Sequence, residues 1–598
     1  MDELIKNIIS TLKNGDSITE NKLANLIRRA NRGKIDNSSH IAKKYIMPYY
    51  LNVKSNDIDK WRSWNIDKST EKKLISLLLV KPKRSASGVA TITVITKPWK
   101  CGGNCLFCPN DIRMPKSYLS NEPACQRAER NFFDPFLQVS TRLKALHEMG
   151  HSTDKIEVIV LGGTWNDYTL SYQKWFVSEI FRALNVGVID LNNELIRERE
   201  NIYIKSGISN DPDVNKNLVD QFQDRINNFD ITYNQAWNKY YKNSKPWNYL
   251  SKIQKAKWDE VFYQHKLNET SKHRCVGLVF ETRPKVIDNK TCKYMRRLGC
   301  TKVQMGIQSL NEETMSACNR HTDTKVVENA FAALRKFGFK IHIHFMVNLP
   351  LSNPKKDKLD FKKLVTGKSF LPDEIKLYPC MLVESANLNL WSQKKMWIAY
   401  DEDTLVDILT YDLLITPQYV RISRMMRDIS SFDIIKGVKK TNLRQMVEDK
   451  AEHIAKDNNI QIQEIRHREI STNKTNIKDF LYKDFKYKTS NTEEHFLQYV
   501  TKENKILGFC RLSLPTKGEF AMIREVHVYG KVASLGQEST NAQHLGLGKS
   551  LIDNACIIAK KHYKKIKVIS AIGTRNYYKK RGFNSMSKDG LYQVKNLC

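Results

Sequence analysis

The stretch KCGGNCLFCP, residues 100–109, places Cys101, Cys105 and Cys108 in one short loop, with two glycines between the first pair. Four thiolates would complete a zinc or an iron–sulfur site, whereas three leave one iron of a 4Fe-4S cluster with an open position that can take a substrate or cofactor. A zinc ion with a distant fourth ligand, one of the 14 histidines, is the other chemistry open to this donor set. Lys97, Pro98, Gly102 and Gly103 would shape the loop. The other cysteines stand singly (Cys125, Cys275, Cys292, Cys300, Cys318, Cys380, Cys510, Cys556 and Cys598) and read as buried filler.

Three further groups sit where an apolar run gives way to a loop. LGGTW (161–165) offers Gly162, Gly163 and Thr164, and glycines there let backbone approach a ligand closely. ETRP (281–284) offers Glu281 and Arg283, and GIQS (306–309) offers Gln308. On parallel strands all of these gather at one mouth, where binding residues collect.

A second constellation lies near the end. QHLGLGKSL (543–551) has the Gln-x-x-Gly-x-Gly form that opens a helix. Backbone N–H groups around Gln543, Gly546, Leu547, Gly548 and Lys549, backed by the helix dipole, would hold a pyrophosphate. REVHVYG (524–530) supplies a strand in which Glu525 and His527 share a face and have the residue types of a base. GTRNYYKKRGF (573–583) adds Tyr577 and Tyr578, to protonate a thiolate or to pack.

These residues need elements to position them. Six β-rich runs, beginning at residues 91, 155, 275, 301, 340 and 373, alternate with helical stretches such as 135–150 and 324–338. That alternation predicts an α/β fold with a parallel sheet, an open or partial (β/α)6 barrel. Residues 205–272, rich in Asn, Lys, Tyr and Trp and without a clean period, read as an inserted surface segment. Residues 1–80 read as a helical basic region, 81–400 as the barrel, 401–490 as a linker and 491–598 as a separate small α/β domain.

At 598 residues the chain exceeds one hydrophobic core. Its 98 basic and 64 acidic residues leave a formal charge of +34, a field that attracts polyanions, and nucleic acid is the natural partner. Arg28, Arg29, Arg32 and Lys34, with Lys83 and Arg84, form groupings suited to phosphate contacts. The longest apolar runs fall short of the roughly 18 residues a membrane span needs, and the start lacks a secretory pattern. An intracellular, cytoplasmic protein with reduced cysteines is expected.

Cys-x3-Cys-x2-Cys on the loop after the first barrel strand resembles the radical S-adenosylmethionine (SAM) enzymes. In that family the SAM amine and carboxylate chelate the open iron, and an electron from the cluster gives a 5′-deoxyadenosyl radical. The end of the chain resembles the GCN5-related N-acetyltransferases (GNAT). The two together resemble the catalytic subunit of the Elongator complex over nearly the whole chain, in blocks such as GLVFETRP, GCTKVQMGIQS, EVHVYG and GTRNYYKKRGF.

The resemblance implies an enzyme forming 5-carboxymethyluridine at the wobble position of tRNA, with a 4Fe-4S cluster, SAM and acetyl-CoA. It implies tRNA as partner, Elongator-type accessory subunits and a homodimer as further ones, and no membrane. By position Lys155 matches a family lysine associated with acetyl-CoA at the radical site. Acetyl-CoA contacts would fall on Glu525, Val526, His527 and Val528, on Leu547 to Lys549 and on Tyr578. The alternatives are a protein lysine acetyltransferase of histone type, supported by the barrel, and a tRNA-binding scaffold. Three residues separate the first two cysteines where the family pattern has four or more, so the loop is expected to be shorter. QEIRHREIS (463–471) lacks the cysteines of a zinc element found in some relatives, so no zinc is expected there.

Overall fold

The computed structural model describes residues 1–32, 40–80, 88–190, 192–470, 480–529 and 546–597. The six β-rich runs become strands β1 (Ala90–Ile95), β2 (Lys155–Leu161), β3 (Arg274–Thr282), β4 (Lys302–Gln308), β5 (Lys340–Val347) and β6 (Glu374–Pro379). Each pairs in parallel with the next, and a seventh strand, β7 (Arg421–Arg424), pairs in parallel with β6. Helices such as Pro135–Glu148, Leu170–Val186 and Thr324–Lys336 join them. They bury Leu143, Phe176, Phe181 and Phe331 in the core with strand residues Ile92, Val158, Phe280 and Ile343. Parallel strands need such crossovers, and the crossovers cover the outer face of the sheet.

Among the described residues of 2–78, five helices surround a core of their own, with Leu4, Ile5, Ile8, Tyr50 and Leu74 buried. The segment expected as a surface insertion without period is instead helical: Pro212–Asn227, Tyr233–Tyr240, Lys245–Ile253 and Trp258–Asn268. Asp211, Thr232 and Ser244 each accept a backbone N–H at a helix start, which is how a chain without a long apolar period still nucleates short helices. Val219, Ile226, Tyr233, Trp237 and Tyr241 are buried together with Ile112 of the cysteine loop, so this segment packs onto the barrel mouth.

Residues 401–470 and 480–490, expected as part of a linker, are structured. They hold the helix Glu402–Ile415, strand β7, the helix Leu443–Asp457 and the first strand of the second sheet. That sheet comprises β8 (Leu481–Lys488), β9 (Thr492–Val500), β10 (Ile506–Pro515), β11 (Phe520–Val528), β12 (Lys565–Val568), β13 (Ser585–Met586) and β14 (Gln593–Asn596), in the order 8-9-10-11-12-14-13. The helix Leu547–Lys560 lays Leu551, Ile552 and Ala555 against Leu512 and Ile523.

The two sheets share one core. Phe509, Met522, Tyr529 and Ile572 of the second domain belong to the buried cluster of the barrel. At Gly573 a Cβ would stand 2.6 Å from the Arg274 Cβ and 2.9 Å from Cys275 backbone, so that loop rests directly on the start of β3. Among the described residues no helix is long and apolar enough to cross a membrane.

Candidate functional site

The cysteine loop leaves the end of β1 and lies across the mouth of the barrel. The Cys101 and Cys105 sulfurs both lie within 4.0 Å of the point a Cβ on Gly103 would occupy. The neighbouring Cys108 thiol, then the Arg320 and Lys116 charges, pull the Cys105 thiol below its ordinary value. Arg320 Nη1 donates to Cys105 Sγ at 3.3 Å. Thiolates need cationic neighbours when buried, and the loop supplies them.

Among the described residues no three His, Cys, Asp or Glu donors close on one point tightly enough for a single metal ion. A single zinc ion would need its sulfurs about 2.3 Å away each, whereas a cubane spreads its ligands over separate irons. Three thiols on one loop lining one cavity are the donor set that a 4Fe-4S cluster takes while one iron keeps an open position.

Gly102 and Gly103 have a steric reason to be glycine. A Cβ on Gly102 would stand 2.7 Å from Arg283 Nη2, and one on Gly103 would stand 3.0 Å from Nη1. Arg283 in turn reaches both oxygens of Asp167 at 3.2 Å, and Asp167 Oδ2 accepts the Gly102 N–H at 3.0 Å. Gly162 and Gly163 end β2 with φ of 151° and 82°. A Cβ on Gly162 would overlap the Thr96 hydroxyl.

Beside the loop lies a cavity of about 570 Å³. Cys101, Cys105, Cys108, Gly163, Thr164, Glu281, Arg283 and Gln308 all line it, so strand ends far apart in sequence meet there. Lys116, Arg127, Arg142, Arg283, Arg320, Lys376, Arg424 and Arg427 line it against Glu122, Glu281 and Asp428, giving a cationic mouth. Deeper in, Glu281 Oε2 accepts from the Tyr118 hydroxyl at 2.5 Å. Gln304 Oε1 accepts from Lys376 Nζ at 2.7 Å and stands 3.2 Å from His344 Nε2. Burial brings Lys376 down to about 7, and burial likewise holds His344 neutral.

Sequence reasoning missed Arg320, Lys376, His344 and Tyr118. The last three reach the cavity from a strand interior or the loop itself, where nothing local distinguishes them from core residues.

Lys155 is not part of this cavity. It opens β2 and pairs in register with Arg274, the residue against which Gly573 rests. The seven residues of β2 put roughly 20 Å between it and the cysteine end. Lys155 thus stands at the boundary with the second domain, because the lysine begins its strand while the glycine pair follows it.

In the second domain β11 and β12 pair from Phe520 to Ile523, and residues 524–528 run on past that pairing beside the start of the helix Leu547–Lys560. Gly546 caps that helix with φ 70°. A Cβ on Gly548 would stand 2.7 Å from the Tyr577 hydroxyl and 3.6 Å from Val528 Cγ2. Val528, Gly548 and Tyr577 therefore meet around one slot. Leu547 and Tyr578 are buried and Lys549 is exposed; Gln543 lies outside the described residues.

His527 and Glu525 face the other way. The His527 ring packs on Phe509 and Tyr529, with centroids 5.8 and 4.4 Å away, and burial lowers its pKa. The Glu525 carboxylate is taken by Lys340 Nζ at 2.6 Å and Arg511 Nε at 2.8 Å. Burial alone would raise it, and these two cations outweigh burial. Strand alternation keeps Glu525 and His527 on one face, as expected, but that face meets the barrel. Tyr577 is the candidate proton donor that lies at the slot.

Arg28 and Arg29 are exposed in the last turn of Glu20–Ala30 and Arg32 is exposed just after it. Lys34, Lys83 and Arg84 lie outside the described residues.

The chain matches the Radical SAM superfamily over residues 254–359, the Radical_SAM C-terminal domain over 372–453 and the Acetyltransferase (GNAT) family over 461–583. It is 32% identical over 551 residues to the tRNA uridine(34) acetyltransferase of Methanocaldococcus infernus, covering 88% of this chain and 89% of that one. The chain belongs to the family of the tRNA uridine(34) acetyltransferases. The same family resemblance extends to Elongator complex protein 3 of Homo sapiens, 28% identical over 602 residues with 96% and 95% covered. The solved structure of the archaeal Methanocaldococcus infernus Elp3 with an N-terminal deletion superimposes with a TM-score of 0.63 at 27% identity, covering 85% of this chain and 99% of that one. The expected pairing of a radical SAM barrel with a GNAT domain is thus present in this tRNA uridine(34) acetyltransferase family member.

Proposed function

We propose that the chain modifies the wobble uridine of tRNA, building a 5-carboxymethyl group from acetyl-CoA by radical SAM chemistry. Cys101, Cys105 and Cys108 would hold a 4Fe-4S cluster, and Gly163, Thr164, Glu281 and Gln308 form the wall against which SAM would lie. When bound, the cluster would supply the electron that cleaves SAM to a radical able to take hydrogen from the acetyl methyl; the resulting carbon radical would add to uridine C5, the adduct would give back one electron and lose the C5 proton, and water would release coenzyme A from the thioester. The observation that carries this reading is that one cavity is lined by all three cysteines of the loop and has a cationic mouth suited to a polyanion.

The chain's own groups have definable tasks. Arg283, braced by Asp167, fixes the glycine side of the cysteine loop. Lys376, near 7, can hold or release a proton inside the cavity at neutral pH. In the second domain the N–H groups at the start of Leu547–Lys560 would take the pyrophosphate of acetyl-CoA, with Tyr577 at the thioester end. The Gly573 loop that leads to Tyr577 rests on the start of β3 and the thiols lie past the strand ends, so this reading requires the acetyl group to travel between the two domains. Elongator-type subunits are the partners this reading implies.

Anaerobic protein reconstituted with iron and sulfide should release 5′-deoxyadenosine from SAM under reduction, and Cys101→Ala, Cys105→Ala and Cys108→Ala should each abolish it. Release unaffected by all three would refute the assignment.

A further inference from the structure

The three cysteines are not held alike. The segment from Cys105 onward is pinned by the barrel: Leu106 N–H donates to Cys318 O at 3.0 Å, Leu388 N–H to Leu106 O at 2.9 Å, and Asn110 bonds Ser385 through N–H and Nδ2 at 3.0 and 2.7 Å. Cys101 is followed by two glycines, which have the most backbone freedom to lose. Its N–H donates to Asn234 Oδ1 at 3.0 Å, and its carbonyl accepts from Asn234 Nδ2 at 2.8 Å. One side-chain amide thus meets both peptide groups of the first cysteine.

Asn234 belongs to the helix Tyr233–Tyr240 in the inserted segment, and its neighbours tie that helix to the same loop. Tyr233 donates to Met114 O at 2.7 Å, Trp237 Nε1 to Pro98 O at 3.1 Å, and Tyr241 to Ile112 O at 3.0 Å. Gln223 bonds Ile112 N–H and Asn110 O at 2.9 and 3.1 Å. A capping box of Thr232 and Gln235 fixes where the helix begins. Anchored before, at and after the cysteines, the helix presents Asn234 to Cys101 in a fixed position.

We propose that Asn234 is a positioning residue for the cluster: it clamps the Cys101 peptide so that the thiolate stays on its iron, where Asp167 and Arg283 hold only the glycines that follow. The inserted segment is then part of the site and not an appendage. An amide is required, because Asp keeps the acceptor and loses the donor, and Ala loses both. This rests on reading Cys101 as a cluster ligand.

The test is iron release from the reconstituted full chain into a chelator under anaerobic conditions, with thermal unfolding as the control for folding. Partners that orient a ligand typically change metal affinity by roughly 10- to 100-fold. Asn234→Ala and Asn234→Asp should therefore lose iron about tenfold faster or more at an unchanged unfolding midpoint, while Gln223→Ala, which loosens the segment away from Cys101, should match the parent. Equal acceleration in Gln223→Ala would assign the effect to the segment as a whole and overturn the role given to Asn234. Parent-like release in both Asn234 variants, with Cys101→Ala deficient in iron, would overturn this proposal alone. Full iron content in Cys101→Ala would overturn the cluster reading beneath it.

Discussion

The Arg524 guanidinium closes on both oxygens of Asp373, Nη1 to Oδ2 at 2.7 Å and Nη2 to Oδ1 at 2.8 Å, with neither side chain exposed. Arg524 lies on β11 of the acetyltransferase domain and Asp373 immediately before β6 of the barrel. Arg511 Nη1 stands 3.3 Å from the same carboxylate. Burial would raise the Asp373 carboxyl, but Arg524 and Arg511 hold it well below the ordinary value. The pair makes two domains one body, since a buried charge whose partner leaves is uncompensated.

Asp373→Ala should cost about 3–5 kcal/mol, because it removes the carboxylate shared by two buried guanidinium groups and leaves Arg524 with Glu494 and Arg511 with Glu525 alone. Urea unfolding monitored by circular dichroism reads this, and the single transition should split in two. In the parent, the depressed carboxyl contributes stability fully above the unfolded value of about 3.9 and loses it as pH falls below that toward the folded value. Asp373→Ala should flatten that part of the pH profile.

Gly102→Ala should drive the Arg283 guanidinium from its place and break its pair with Asp167. The displaced atom ends a flexible side chain, so the fold should persist with an unfolding midpoint near the parent's. SAM binding, measured by equilibrium dialysis on the reconstituted protein, should weaken roughly tenfold, the usual scale for disturbing support around a site. Unchanged binding would remove Arg283 from the site.

Lys97 and Lys376 are both buried, and burial lowers each to about 7. Between about pH 7 and the unfolded lysine value of about 10.4, the unfolded chain keeps protons that the folded chain has released, so stability rises with pH across that window. Lys376→Met should reduce the rise between pH 7 and 9 in urea midpoints. A slope equal to the parent's would show that Lys376 is charged in the fold.

Changing Arg28, Arg29 and Arg32 together to Ala should lower the slope of log affinity for tRNA against log salt by roughly 2–3, about 0.7–0.9 for each phosphate that is no longer neutralised. Filter binding over a salt series measures it. An unchanged slope would make these arginines a solvated helix end that only offsets the dipole.

What could be read in advance was what neighbouring residues settle among themselves. Cys101, Cys105 and Cys108 are close in sequence, and Gly162–Gly163 ends a run whose alternation already identifies a strand. Glu281, Arg283 and Gln308 follow from the rule that parallel strands send their ends to one mouth. The role of Lys155 came from resemblance alone; as the first residue of β2 it stands at the strand-start end, away from the cysteines. For His527, alternation fixed its face relative to Glu525, but only the packing of Phe509 and Tyr529 reveals which face that is. Asn234 had no local signal at all, since its two hydrogen bonds span 133 positions of chain. Strand β7 was missed because four residues, RISR, carry too little pattern to separate from the polar sequence around them.

The most direct test of the central claim is to incubate the reconstituted chain with tRNA, SAM, reductant and acetyl-CoA labelled with carbon-13 at both acetyl carbons, then digest the tRNA and analyse its nucleosides by mass spectrometry. The account predicts wobble uridine carrying a carboxymethyl group with both labelled carbons, absent when Cys101, Cys105 and Cys108 are changed to Ala. Unmodified uridine in the parent reaction, or label appearing instead as acetyl-lysine on protein, would contradict it.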